Sequence, residues 1–177
     1  AAPVHRAIMA GERETGITMI RLVRQMDAGP MLARVVHPIG EDDTSEMAER
    51  ALAALGADLL LSTVAAIASG QAVEEEQDHA RATLAPRLTR EDGRVGWAQP
   101  ADTVRNLIRG LQPWPYACTF LNGTRYLLLR ATVEPRAEAE RLAAPAPAGT
   151  IIEARGDRLH VACGEETVLA LHEVQPE

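Results

Sequence analysis

The chain contains no lysine: all 18 of its basic residues are arginine. No physical requirement replaces Lys by Arg at every surface site, so the bias reads as genome composition rather than function. Aromatic residues make up only 3% of the sequence, which leaves Ala, Leu, Val and Ile to build any core. Cysteine is nearly absent. Cys118 and Cys163 are too few and too isolated for a disulfide framework or a metal site, and in their apolar stretches they read as buried thiols of a reducing compartment. No apolar run approaches the roughly 18 residues that span a bilayer. The N-terminus has no charged-then-apolar pattern of a signal peptide, so the expected location is cytoplasmic. His5, His37, His79, His160 and His172 are scattered without an i, i+4 pair or Cys and Glu at ligand spacing, so no metal is expected. A Gly-rich phosphate loop is missing too. Gly110, Gly123, Gly149 and Gly156 read as turn glycines.

What the chain does contain is an ordinary 46% of hydrophobic residues over 177 positions, and a net charge of -7 that is unevenly spread. Residues 1–80 carry 6 Arg against 13 acids, residues 81–130 carry 8 against 3, and residues 131–177 carry 4 against 9. The middle segment alone is basic, and is where a polyanion would dock. A solvated, salt-bridged surface is the plainer reading of the same charges.

The residue pattern alternates apolar runs with turn signals. Pro3 followed by Val4, Ala7 and Ile8 predicts a short helix over 3–10. Residues 17–23 predict a largely buried strand, and residues 31–39 a second strand closed by Pro38 and Gly40. Asp43 or Thr44 opens a long helix that Ser69 and Gly70 end. Only Asp43 with Glu46 would make a capping box. Its apolar positions, Met47, Leu52, Leu55, Leu60, Val64 and Ile67 among them, form a wide face. Gly56 inside it costs up to about 1 kcal/mol unless close packing requires it. A helix over 100–110 with Val104, Leu107, Ile108 and Leu111 inward is broken by Pro113 and Pro115. Five short strands follow at 117–121, 125–133, 150–154, 159–163 and 167–173. Asn122-Gly123 between the first two is the strongest hairpin signal present. Five short strands suggest a small barrel of the oligonucleotide-binding type, with a mobile Ala/Pro/Glu-rich loop over 134–148.

The stretch around which the rest is organised is Ile17 to Leu32, in which an apolar strand runs into Asp27-Ala28-Gly29-Pro30. A lone carboxylate at a strand end beside Gly and Pro is where open α/β sheets place ligand-handling groups. An Asp that merely caps its own turn fits the same residues.

Several segments together resemble the methionyl-tRNA formyltransferases: Ala1-Ala2-Pro3-Val4-His5-Arg6, Glu14-Thr15-Gly16-Ile17-Thr18, Met26-Asp27-Ala28-Gly29-Pro30-Met31-Leu32, the run from Leu84 to Trp97, and Pro113-Trp114-Pro115. Each is moderately specific; their order and spacing are the stronger signal. The resemblance implies an α/β fold, the C-terminal part of a Rossmann-like formyltransferase domain over residues 1–80, then a basic linker over 81–96 and an OB-like β-barrel domain over 97–177. It implies transfer of a formyl group from 10-formyltetrahydrofolate to methionyl-initiator tRNA, and places Asp27 at the family's catalytic aspartate. The family's Asn, His and folate loop fall upstream of Ala1, so the sequence reads as a fragment, lacking that part and the extreme C-terminus, and inactive as it stands. Two strands and two helices cannot cover a parallel sheet on both faces, which agrees. A monomer is expected, with no membrane.

Formyl transfer passes through a tetrahedral intermediate, so the enzyme must stabilise an oxyanion and move protons between two nitrogens. By resemblance the linker and barrel face the tRNA acceptor arm. Arg87, Arg90 and Arg94, and Arg105 and Arg109, are spaced to share a helix face and are the candidate phosphate contacts. Two other readings fit. Nucleotide-sugar N-formyltransferases join a similar catalytic domain to a similar barrel, and Arg21-Leu22-Val23-Arg24-Gln25 leans that way, less strongly than the 84–97 run leans back. A non-catalytic nucleic-acid-binding module fits the isolated fragment.

Overall fold

Proline at the first helical turn starts α1 (Pro3–Met9), where its missing N–H goes unneeded. The computed structural model describes residues 1–142 and 146–177. Strands β1 (Glu14–Ile20) and β2 (Met31–Pro38) pair antiparallel as a hairpin, with Ile17 opposite Val35. The pairing corrects the expectation of a parallel sheet among these strands. The first strand also ends three residues earlier than its apolar run predicts, because Arg21 N–H bonds the Pro30 carbonyl at 2.9 Å and closes a loop there.

Helix α2 (Ser45–Ala68) follows. Thr44 is its N-cap, its hydroxyl accepting from Met47 N–H at 3.3 Å. No capping box forms: the Asp43 carboxylate accepts from Gly40 N–H instead, and Glu46 pairs with Arg50. Gly56 is explained by packing. A Cβ there would lie 2.7 Å from Ile17 Cδ1, so the helix crosses the hairpin at closest approach. The wide apolar face is only partly used. Ala48 and Leu52 are buried, whereas Leu60, Leu61, Val64 and Ile67 are exposed. Asp58 alone interrupts this run with charge, and α2 is after all long and apolar enough to cross a membrane by length and composition, with an 18-residue window of mean hydropathy 1.9.

Residues 69–100 hold 3-10 turns at His79–Arg81 and Glu91–Gly93 and isolated bridges at Glu75, Arg94 and Pro100, with no longer helix or strand. Pro86 disfavours helix just before the basic run, so the helical linker that would align Arg87, Arg90 and Arg94 is not formed. Helix α3 (Ala101–Gly110) follows, with Val104, Ile108 and Leu111 buried.

Strands β3 (Ala117–Leu121), β4 (Thr124–Val133), β5 (Ile151–Arg155), β6 (Arg158–Ala162) and β7 (Val168–Pro176) make one antiparallel sheet in the order β3-β4-β7-β6-β5. The β3–β4 turn has both Asn122 and Gly123 at positive φ, 51° and 85°, the mirror-image turn that Asn-Gly favours. The sheet is open: among the described residues the edge strands β3 and β5 do not pair. They flank instead an apolar cleft of about 390 Å³ lined by Trp97, Phe120, Tyr126 and Ile151, so the expected closed barrel is not found. Helix α4 (Arg136–Leu142) occupies part of the stretch expected as a mobile loop, held by Arg136–Glu140 and Arg141–Glu138 pairs. The rest of that expectation, at residues 143–145, lies outside the described residues.

A seam joins the hairpin unit to the sheet unit. Helix α1 crosses α3 at Gly110, where a Cβ would stand 2.7 Å from Met9 Cγ and 3.2 Å from Met9 N. Gly110 is therefore a close-approach glycine at a helix end rather than a turn glycine. Ile8 is fully buried beside it, a contact of about 1.5–3 kcal/mol. The buried Ser45 hydroxyl donates to the Gly110 carbonyl at 2.6 Å, and Arg6 pairs with Asp92 at 2.8 Å.

Candidate functional site

Asp27 sits in the Arg21–Pro30 loop between β1 and β2. Its φ is +55°, a left-handed conformation that Asp tolerates better than most residues. The side chain is exposed, and among the described residues it makes no hydrogen bond; the structure does not use it as the cap of its own turn. What holds it is backbone. The Gln77 amide nitrogen donates to the Asp27 carbonyl at 2.9 Å and to the Gly29 carbonyl at 2.6 Å. Gly29 lies so near the opposite limb that a Cβ would meet the Arg21 carbonyl oxygen at 1.7 Å, so no other residue fits. The Arg21 side chain pairs with Glu74, and Met31 exchanges two backbone hydrogen bonds with Glu75 at 2.7 and 2.9 Å. Residues 74–77 are thus a strap across the base of the loop.

The sequence shows this strap only as an acidic run that breaks regular structure, and nothing in it singles out Gln77. The loop also exposes Leu22 (89%) and Met26 (87%). Leu22 and Met26 stand beside the uncommitted carboxylate, with the exposed Arg24 on the same loop, so the rim mixes apolar and charged side chains.

The five candidate arginines separate into two groups. Arg87, Arg90 and Arg94 are exposed. Arg105 and Arg109 face the loop before α2. Arg105 donates to the Glu41 carbonyl at 2.7 Å and pairs with Asp42 at 3.0 Å, while Arg109 donates to the carbonyls of Gly40 and Asp43 at 3.2 and 3.1 Å. Burial is the main cause that pulls the Arg109 guanidinium below its ordinary pKa. Their α3 spacing is as predicted, and the acceptors they reach are the protein's own.

Two histidines and both thiols are held by the fold. His160 is buried with Glu153 on one ring nitrogen at 3.0 Å and Glu134 on the other at 3.1 Å. His172 bonds the Thr132 hydroxyl at 2.8 Å. Both thiols are buried, and burial raises that of Cys163 to about 11. Among the described residues no three His, Cys, Asp or Glu side chains are grouped to hold a metal.

The family model described as formyl transferase matches residues 1–64, and that of the formyl transferase C-terminal domain matches residues 87–177. The methionyl-tRNA formyltransferase of Enterococcus faecalis is 40% identical over 176 residues, which is 99% of this chain and 54% of the relative. That of Anaeromyxobacter sp. strain K is 41% identical over 177 residues, 100% of this chain and 55% of the relative. The chain spans about half the length of the curated relatives it matches. Among solved structures, an N-formyltransferase from Helicobacter canadensis in complex with folinic acid and dTDP-3-aminofucose superposes with a TM-score of 0.74 at 13% identity, over 100% of this chain and 61% of that one. HypX from Aquifex aeolicus in complex with tetrahydrofolic acid gives 0.69 at 20% identity, over 100% and 30%. These two likenesses concern the fold.

Proposed function

The chain belongs to the formyl transferase family, and we propose that in the intact protein it forms the back part of a methionyl-tRNA formyltransferase. The reaction is transfer of the formyl group of 10-formyltetrahydrofolate to the amino group of methionine on initiator tRNA, in the cytoplasm. One observation carries the reading most directly. The carboxylate at the family's aspartate position stands free of partners among the described residues while its backbone is clamped by Gln77, in a chain about 40% identical to such enzymes along nearly its whole length.

The chemistry follows from that arrangement. Attack of the methionine nitrogen on the formyl carbon makes a tetrahedral oxyanion. The nitrogen must then lose a proton, and the departing folate nitrogen must gain one. An ionised carboxylate on a fixed backbone orients a neighbouring imidazole and helps move the proton, as an acid–base partner rather than a nucleophile. The imidazole, the Asn and the folate contacts belong by resemblance to residues upstream of Ala1. The exposed apolar stretch of α2 and the loop's Leu22 and Met26 are the surfaces that this upstream half would cover.

The basic segment supplies the second part of the reading. Arg87, Arg90 and Arg94 are exposed on the connector between the two units and are placed to meet tRNA phosphates, with affinity that falls steeply as salt rises. Arg105 and Arg109 instead fix α3 to the loop at residues 40–43.

The test is a formyl-transfer assay on the intact protein with 10-formyltetrahydrofolate and two acceptors. Methionyl-initiator tRNA as the accepted substrate supports the reading. An amino-sugar nucleotide accepted in its place would transfer the assignment to the sugar enzymes of the same fold. Folate binding without transfer to either, together with tight RNA binding, would reduce the protein to a nucleic-acid-binding module.

A further inference from the structure

We propose that the crevice between the loop before α2, helix α3 and the middle of β4 is an anion site that takes a phosphate group, held by the guanidiniums of Arg109 and Arg130. The crevice has a volume of about 530 Å³. Glu41, Asp42 and Thr44 of the loop form one wall, and Arg105 and Arg109 of α3 and Arg130 of β4 line the others. It lies between the two units, the kind of junction where binding sites are commonly built. The inference is independent of the formyl-transfer reading.

Two of the three cations lack a carboxylate. Arg109 Nε donates to Asn106 Oδ1 at 2.9 Å and Nη1 to the carbonyls of Gly40 and Asp43 at 3.2 and 3.1 Å, all neutral acceptors. Its Nη2 has no partner among the described residues, and the Asp43 carboxylate is turned away to the Gly40 N–H. Burial first, and then the neighbouring Arg105 guanidinium, pull Arg109 below its ordinary pKa against the opposing pull of Asp43, Asp42 and Glu41. Water screens such a part-buried cation less than an exposed one, so an anion beside it gains more. Arg130 stands opposite Glu173 in the β4–β7 ladder, yet among the described residues it makes no ion pair. The register shifts on both sides of Arg130, and the carbonyl of the unpaired Leu129 accepts from Gln112 Nε2 at 2.6 Å. Bulges of this kind re-aim side chains, and this one sits where Arg130 lines the crevice.

Carboxylates border the crevice too, but at its rim. The Asp42 side chain is 90% exposed, whereas that of Arg105, with which it pairs, is only 18% exposed. Glu41 and Glu173 are exposed as well. Solvent screens these groups, and the guanidiniums set the field further in. Arg105 is committed to the Glu41 carbonyl and the Asp42 carboxylate, so it holds the wall rather than the ligand. A guanidinium fork matches two phosphate oxygens through short, charge-assisted hydrogen bonds. The Thr44 hydroxyl accepts from Met47 N–H and keeps its own hydrogen to donate. The phosphate group belongs either to an RNA backbone or to a small phosphorylated molecule, and the chemistry that holds it is the same.

The experiment titrates the intact protein with inorganic pyrophosphate by calorimetry, at an ionic strength held constant with chloride. The wild type should bind it, and Arg130→Gln, a change at an exposed position, should weaken binding roughly 10- to 100-fold, the range for losing a hydrogen bond to a charged group. Glu173→Gln removes a rim carboxylate and should tighten binding about 2- to 5-fold. Arg155→Gln, an exposed arginine on β5 outside the crevice, should change nothing. Absence of pyrophosphate binding by the wild type overturns the proposal. So does equal binding by Arg130→Gln, or an equal loss in Arg155→Gln. Where Arg130→Gln does weaken pyrophosphate binding, the same variant identifies the source. A slope of log affinity for tRNA against log salt lowered by about one unit upholds the site as a contact for the RNA backbone. An unchanged slope upholds it as a site for a free phosphorylated molecule.

Discussion

The Gln77 amide nitrogen bridges the carbonyl oxygens of Asp27 and Gly29, at 2.9 and 2.6 Å, across nearly fifty residues of sequence. It fixes the position of a carboxylate that it never touches. Replacing Gln77 by Leu keeps the bulk and removes both hydrogen bonds, about 0.5–1.5 kcal/mol each. The expected outcome is a 10- to 100-fold loss in the rate of formyl transfer by the intact protein, with KM for the folate donor little changed, because orientation rather than binding is lost. Single-turnover kinetics separate the two.

Asp27→Asn retains the shape and the left-handed backbone, and removes the charge. In the intact protein it should lower turnover by roughly 10²–10⁴, or about 3–5 kcal/mol of barrier. Near-normal turnover would remove Asp27 from the mechanism, and urea unfolding of the variant checks that the loop itself is intact.

At the seam, Gly110→Ala forces a methyl group to within 2.7 Å of Met9 Cγ, and Ser45→Ala strips the Gly110 carbonyl of its buried donor. Each should destabilise by about 1–3 kcal/mol. Thermal unfolding should show a fall of roughly 2–4 °C per kcal/mol for a chain of this size. Because the two changes share one contact, the double variant should lose less than the combined single effects.

The arginines should divide by measurement as they divide in the structure. Arg87→Ala with Arg90→Ala should lower the salt slope of tRNA binding by about two units and leave stability almost unchanged. Arg105→Ala should do the reverse, since that side chain holds the loop carbonyl of Glu41 and the carboxylate of Asp42. Filter binding over a salt series and denaturant titration give the two readouts.

The Asp92 carboxyl is held below its usual pKa chiefly by the hydrogen bond from Arg6, with Thr89 adding two more. The folded value lies below the unfolded one, so the ion pair's contribution is present above the ordinary value of 3.8 and is lost as pH falls through the folded value. Wild-type protein should therefore lose more stability between neutral pH and pH about 3 than Asp92→Asn does. Urea midpoints at the two pH values test it.

Much of the second unit was legible in the sequence because its signals are local. The buried positions of α3 follow their 3.6 spacing, and Asn122-Gly123 forms the turn its φ preferences require. Sequence and structure part where long-range contacts prevail over local pattern. Leu22 and Val23 extend an apolar run, yet Gly29's approach to the Arg21 carbonyl closes the loop before them. Spacing of three and four residues aligns Arg87, Arg90 and Arg94 only on a helix, and Pro86 stands just before them. Gly110 has the composition of a stop signal and the position of a helix crossing. For the candidate site, Asp27 stands out in the sequence while the group that holds its backbone does not, since Gln77 carries no pattern and acts through backbone oxygens about fifty positions away.

The crossing of α1 over α3 brings together residues a hundred positions apart, whereas no strand pairing in the hairpin or the sheet spans more than about fifty. Long-range closure carries the larger loop entropy and comes late in folding. The seam thus acts as a kinetic latch: damage to it should leave the folding rate nearly unchanged and quicken unfolding, so its residues govern how long the joined state lasts rather than how fast it is reached.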